Sequence, residues 1–207
     1  MDQLPLALAW CAYALLHSLL AGLAVKAAVT RRWPGFAPWY RLSYNVFAGV
    51  AALPLVWLLY AIPGDSLWAW HGVWAWLANG LAAAAVASLL IASPGYDMDE
   101  FLGLRQLRGG REGAVDHDSF RISTLHRFVR HPWYSFSLVI VWTRDMNEAM
   151  LVSAIAITAY FVIGSRYEER KLIAAYGDTY RRYRQRVPAL VPLPWKYLRR
   201  DETDGFR

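Results

Sequence analysis

Three uninterrupted apolar runs constrain this chain more than any other feature. Leu4 to Val25, Leu42 to Ile62 and Trp68 to Ala92 contain no Asp, Glu, Lys or Arg. A helix needs about 20 mostly apolar residues to cross the hydrocarbon core of a bilayer. Inside that core every backbone N–H and C=O must find a partner without water, and a single run of chain achieves this only as a helix. The runs therefore predict an all-α, polytopic membrane helix bundle. Trp68, Trp70, Trp74 and Trp76 crowd the start of the third run, the pattern of an interfacial aromatic belt. The Ala82 to Ala85 tract that follows permits close helix packing.

Charge supplies the orientation. Of the 22 Lys and Arg residues, only Lys26, Arg31, Arg32 and Arg41 precede residue 101. Lys and Arg accumulate in cytoplasmic loops. The segment between the first two runs is thus expected on the cytoplasmic side, and the Pro63-Gly64-Asp65 turn, which has no basic residue, outside. The Arg-rich second half then lies at the cytoplasmic face, with the N-terminus external and the C-terminus cytoplasmic. Met1-Asp2-Gln3 has no positive start of the kind a cleaved signal carries, so the first run reads as a retained span. A net charge of +6 could indicate nucleic acid, but the basic residues are interrupted by apolar runs and no nucleic-acid motif is present. The single Cys11 excludes an intramolecular disulfide and a multi-cysteine zinc site. A chain of 207 residues fits one integral membrane domain, residues 1–92 forming three spans and residues 93–207 the rest.

Past residue 92 the pattern changes. Tyr96 to Leu107 has the spacing of one short amphipathic helix ended by Gly109-Gly110, and Asp116-His117-Asp118 reads as a loop. Trp133 to Trp142 and Ala149 to Ser165 form the two arms of a helical hairpin around the polar turn at residues 143–148, which brings the expected spans to about five. The first arm is short, since ten helical residues rise only about 15 Å. Glu168 onward continues as an amphipathic, basic helix toward Pro188.

An antiparallel hairpin returns the chain to the side it left. It should bring Arg130, His131 and Tyr134 close to Glu168 and Glu169 at one membrane edge. A guanidinium can take a carboxylate as a bidentate fork, carboxylates can take an ammonium or hydroxyls, and aromatic faces suit a sulfonium. Such a set fits a zwitterionic ligand, of which S-adenosylmethionine is one. The same charges could equally be ordinary cytoplasmic flanks that anchor helix ends.

Arg130-His131-Pro132-Trp133-Tyr134, the hairpin, and then Glu168-Glu169-Arg170-Lys171-Leu172 through Tyr176-Gly177, Tyr180 and Tyr183 to Val187-Pro188 resemble the signature of the isoprenylcysteine carboxyl methyltransferase superfamily. The match covers about the last 75 residues in order. Residues 96–106, His17-Ser18 and Tyr40-Arg41-Leu42 resemble one branch of it, that of the methanethiol S-methyltransferases and NnrU-like proteins. The resemblance implies a membrane methyltransferase that uses S-adenosylmethionine at the cytoplasmic face of a bacterial inner membrane. It assigns Arg130, His131, Tyr134, Glu168 and Glu169 to that cofactor. The acceptor would be a small thiol, a lipid or a prenylcysteine-like group, with His17, Arg105 and His126 as candidates for the acceptor side. The sequence departs from the pattern in two places: Thr124, His126 and Arg127 stand where Gly-x-Tyr-Arg is usual, and Phe136 stands where Gly is usual.

His17 near the middle of the first run is either functional or a neutral imidazole bonded to a neighbouring helix. Asp97, Asp99 and Glu100 could chelate a metal, but acids beside Arg105 and Arg108 are expected to pair with them, and no metal site is expected. His117 is expected to be exposed. The rival from another class is a non-enzymatic membrane protein of the NnrU-like type, a respiratory or haem-linked assembly factor. A small transporter is a weaker rival, because a polar cluster at one membrane edge does not make a pathway.

Overall fold

The first apolar run forms a helix that stops sooner than its hydropathy requires. Helix α1 covers Leu4–Ala21; Gly22 then turns to an extended backbone (ψ 133°) and a separate helix α2 begins, Leu23–Arg32. The basic residues Lys26, Arg31 and Arg32 thus lie on a short helix rather than in a loop. A 3-10 turn at Pro34–Trp39 leads into α3, Tyr40–Ala61. A short strand β1, Ser66–Trp68, takes the start of the third run, and α4 follows over Gly72–Ala92. Next come α5, Met98–Leu102, α6, Leu104–Gly109, and α7, Pro132–Trp142. A two-residue strand β2, Met146–Asn147, pairs with β1. The last helix, α8, runs from Glu148 to Arg186. This is a computed structural model, and it describes residues 2–92, 97–109 and 122–206. Tyr96, Gly110 and the Asp116-His117-Asp118 loop lie outside the described residues.

Among the described residues, four helices are long and apolar enough to cross a membrane: α1, α3 with its leading 3-10 turn, α4 and α8. In the apolar windows of the first two, only 6% of residues are buried within the protein. Leu15, Tyr60, Trp76 and Ile91 are at least 72% exposed. Large apolar side chains turned outward on every long helix need an apolar solvent, so the chain is an all-α integral membrane protein. Helix α7 is shorter, 11 residues, or about 16 Å of rise.

The chain packs as two compact units. The first holds residues 1–67, 96–118 and 146–156. Its centre is Leu6, Leu55 and Ala149, flanked by Trp10, Leu58 and Val152. Polar groups within its spans are paired, as hydrocarbon demands: Trp10 Nε1 donates to Ser153 Oγ at 2.9 Å, and Tyr40 Oη to the Leu20 carbonyl at 2.7 Å. The turn after α3 meets the start of α8, where Glu148 N donates to the Asp65 carbonyl and Ala149 N to that of Pro63.

In place of the single helix expected over 96–107 stand α5 and α6, broken at Gly103. Its φ of +89° is a left-handed value that L side chains rarely adopt. A Cβ there would lie 2.6 Å from the Leu42 backbone nitrogen. Asp97 caps α5 by accepting from Glu100 N.

The second unit holds residues 68–95, 119–145 and 157–207. Helix α4 packs on α7, and Ala78, Ala82 and Ala85, at helical spacing, are its buried face. Its other core lies beyond the hairpin. Tyr180, Tyr183, Val187 and Leu198 are at most 1% exposed and gather Leu172, Ile173 and Tyr176 around them. The chain doubles back to form this core at Gly177, whose φ of 53° and ψ of −127° interrupt α8.

Candidate active site

Helix α7 starts at Pro132, whose ring presets a helical φ and needs no hydrogen-bonded N–H at the first turn. The two residues before it are extended. Arg130 N donates to the Pro188 carbonyl and His131 N to that of Ala189, so residues 130–131 run beside 188–189 like a short ladder. This clamp aims both side chains at α8, beyond its apolar segment at 149–165.

There Glu169 is the hub. Its Oε1 accepts from Arg130 Nε at 2.8 Å, lies 2.6 Å from Arg130 Nη2, and sits 3.2 Å from His131 Nε2. The other imidazole nitrogen, Nδ1, lies 3.2 Å from Glu168 Oε2. Arg130 Nη1 turns away to the carbonyls of Arg184 and Val187. Arg130 and Glu169 side chains are about 90% buried, while Glu168 is half exposed. A guanidinium and an imidazole thus face two carboxyl groups. The His131 ring lies parallel to Tyr134 at 5.5 Å, and Tyr134 parallel to Phe161 at 4.6 Å. These rings continue the cluster between the hairpin arms.

Burial sets the charge states against the ion pairs. Burial alone would depress the His131 pKa, but its hydrogen bonds to Glu168 and Glu169 outweigh that and raise it. Burial alone would raise Glu169, but the His131 hydrogen bond and the Arg130 charge outweigh it and hold the carboxyl below its usual value. His126 goes the other way. Burial, and then the charge of His131, lower its pKa to about 4, so it is neutral at physiological pH. Ser123 Oγ lies 2.8 Å from His126 Nδ1, and Tyr183 Oη donates to the His126 carbonyl at 2.6 Å.

Beside the hub opens a cleft of about 600 Å³. Arg130 and Glu169 line it, with Val162, Ser165, Arg166 and Arg170 of α8, Arg184 past the kink, and the strap at residues 188–193. Arg184 Nε lies 4.0 Å from Glu169 Oε2, the oxygen not used by Arg130 and His131. The sequence reading missed Arg166, Arg170 and Arg184. A signal was available for the first two: residues 162, 166 and 170 share one helical face with Glu169.

The structure therefore joins Arg130, His131, Tyr134, Glu168 and Glu169, with His126 within electrostatic reach. The other two candidates belong to the first unit. His17 lies in α1 with Tyr44 Oη 2.8 Å from its Nε2 and the Tyr13 ring 5.5 Å away. Arg105 in α6 pairs with Asp97 and Glu100, and Arg108 with Asp99. Phe136 is partly buried on α7.

Several named proteins align with most of this chain. It is 34% identical to methanethiol S-methyltransferase 2 of Bradyrhizobium diazoefficiens over 199 residues, 94% of this chain and 75% of that protein. It is 32% identical to the methanethiol S-methyltransferase of Mycobacterium tuberculosis, over 89% of this chain and 76% of that one. The corresponding Crocosphaera subtropica enzyme is 30% identical over 87% of this chain and 71% of its own. The chain belongs to the methanethiol S-methyltransferase family. It is accordingly a methyltransferase, and the non-enzymatic reading gives way to an enzyme embedded in a membrane. Membership agrees with the branch of the isoprenylcysteine carboxyl methyltransferase superfamily that the motifs resemble. No family model and no solved structure matches the chain.

Proposed function

We propose that this methyltransferase takes its methyl group from S-adenosylmethionine and passes it to a small thiol, methanethiol being the acceptor its relatives are named for. The observation that carries this reading is the cleft beside the Arg130–Glu169–His131 hub. Its volume falls within the roughly 300–1,000 Å³ of small-molecule sites, and its lining offers both charges a zwitterion needs. The Glu169 oxygen that Arg130 and His131 leave unused suits an ammonium or ribose hydroxyls, with the half-exposed Glu168 next to it on α8. Arg184, Arg170 and Arg166 suit a carboxylate. Arg130 and His131, already engaged with the glutamates, fix those side chains in place and favour the ionised form of Glu169. Tyr134, stacked between His131 and Phe161, adds aromatic character beside the hub that suits a nearby sulfonium.

The donor supplies a methyl carbon already activated by positive sulfur, so the protein mainly aligns the partners. A thiol must also shed its proton. His126, buried and neutral, is a candidate to accept it. His17 and Arg105 remain candidates on the acceptor side. We place the site at the cytoplasmic face of a bacterial inner membrane, with the N-terminus external.

Labelled-methyl transfer in isolated membranes tests the reading. The wild type should convert methanethiol and labelled S-adenosylmethionine to dimethyl sulfide. Glu169→Gln should weaken S-adenosylhomocysteine binding by about 1.5–3 kcal/mol, the range for a charge-assisted hydrogen bond. Unchanged affinity in a folded variant would exclude Glu169 from the cofactor site.

A further inference from the structure

A second polar cavity lies at the opposite end of α7, outside the site just described. It holds about 90 Å³ and is lined by Trp70, Ala75, Asn79, Thr143, Arg144 and Asp145. All six belong to the second unit, from the start of α4 and the turn between α7 and α8. Helix α7 separates it from His131 by the helix's full rise, about 16 Å for 11 residues.

Arg144 is the unusual member. Among the described residues no carboxylate lies within ion-pair distance of it. One terminal nitrogen donates to Asn79 Oδ1 at 3.2 Å and approaches Thr143 Oγ1 at 3.5 Å. Its Nε is buried and has no hydrogen-bond partner among the described residues. A guanidinium whose charge meets only neutral oxygens is under-compensated, and the cavity that Arg144 lines has room for an anion at its terminal nitrogens. Asp145 lies on the same cavity. Its exposed carboxylate takes one hydrogen bond, from Trp70 N at 2.9 Å, and has acceptor capacity left for a cation. The cavity opens where Trp70, Trp74 and Trp76 are exposed at the head of an apolar span. Exposed tryptophans mark the headgroup level of a bilayer.

A phosphate acceptor for Arg144, an ammonium partner for Asp145 and a position at headgroup depth are the features of one ligand. We propose that this cavity seats the headgroup of an ethanolamine phospholipid, Arg144 binding the phosphate and Asp145 the primary ammonium. The site is independent of the methyl-transfer cleft. A phosphatidylcholine headgroup lacks the N–H donors that Asp145 would accept, and phosphatidylglycerol lacks the cation.

The test uses the full chain in mild detergent, doped with phosphatidylethanolamine, phosphatidylcholine or phosphatidylglycerol. Retained lipid is counted by native mass spectrometry and unfolding temperature is followed in parallel. The wild type should retain one phosphatidylethanolamine and gain a saturable rise in unfolding temperature, with a weaker response to the other two. Arg144→Gln should weaken the response at least about tenfold, the low end for a lost charge-assisted hydrogen bond. Asp145→Asn should erase the preference for ethanolamine over glycerol and leave phosphatidylglycerol retention intact. Soluble phosphoethanolamine should compete in the wild type, which decides the matter even if Arg144→Gln fails to fold. Equal responses to the three lipids, or no loss in a folded Arg144→Gln, would overturn the proposal. Inorganic phosphate alone reproducing the full shift would also overturn it, as the mark of a free-anion site.

Discussion

At the scale of single residues the hub is a problem of competing electrostatics. Removing Arg130 would leave Glu169 buried with His131 and the more distant Arg184 for charge compensation, and removing Glu169 would take from Arg130 its carboxylate partner. His131 offers a cleaner probe, because its charge titrates. Its folded pKa is raised above the ordinary 6.5. A raised pKa means that protonation favours the folded state. The stability it contributes is fully present below the unfolded value and fades as pH rises through the folded one. The gap in unfolding temperature between wild type and His131→Gln should therefore be widest near pH 6 and shrink above neutrality. A gap that widens with rising pH would show that His131 is held neutral. Glu169 works in the opposite sense, its lowered pKa giving stability that is lost only as pH falls below the carboxylate range.

At the scale of elements, two glycines decide where helices end, for different reasons. Gly103 combines a left-handed backbone with a close approach to the Leu42 nitrogen. Gly103→Ala should cost about 1–2 kcal/mol for the backbone and about 1–3 kcal/mol more for overpacking against backbone that cannot step aside. Gly177 has a positive φ but open space where a Cβ would go. Gly177→Ala should therefore cost only the conformational share, about 1–3 kcal/mol. Heating the two variants in detergent and measuring the folded fraction by gel filtration orders them. Equal losses would mean that the contact with Leu42 yields. Gly177 also explains why Tyr180 and Tyr183, which the motif places in the functional stretch, are buried core. The kink folds the basic end of α8 back onto Leu172 and Tyr176, and that core holds the carbonyls of Arg184 and Val187 against Arg130.

At the scale of the whole molecule the prediction concerns sidedness. Lys26, Arg31 and Arg32 lie on α2, while the turn at residues 63–65 bears no basic residue and meets the start of α8 through backbone hydrogen bonds. The α3–α4 turn and the hairpin tip should thus share a face, and the positive-inside rule makes it the external one. A reporter fused after Arg207 should read as cytoplasmic, and one inserted at Gly64 as external. The reverse pair of signals would invert the proposed placement of the site.

Length and hydropathy alone determined the all-α membrane class, the spans and the hairpin, because hydrocarbon leaves a lone apolar run no fold but a helix. Hairpin geometry also made the meeting of Arg130 and His131 with Glu168 and Glu169 legible, since an antiparallel return brings its two ends together whatever the packing. Helix ends were less legible. Gly22 and Gly103 break helices through backbone angles that hydropathy does not register. Tertiary structure alone decided which atoms the hub leaves open. That Arg130 spends its fork on Glu169 and on carbonyls of residues 184 and 187, leaving Arg184 beside the free carboxylate oxygen, depends on the Gly177 kink and the 188–189 clamp. Both bring together residues far apart in the chain, and no local pattern of residue types encodes such a contact.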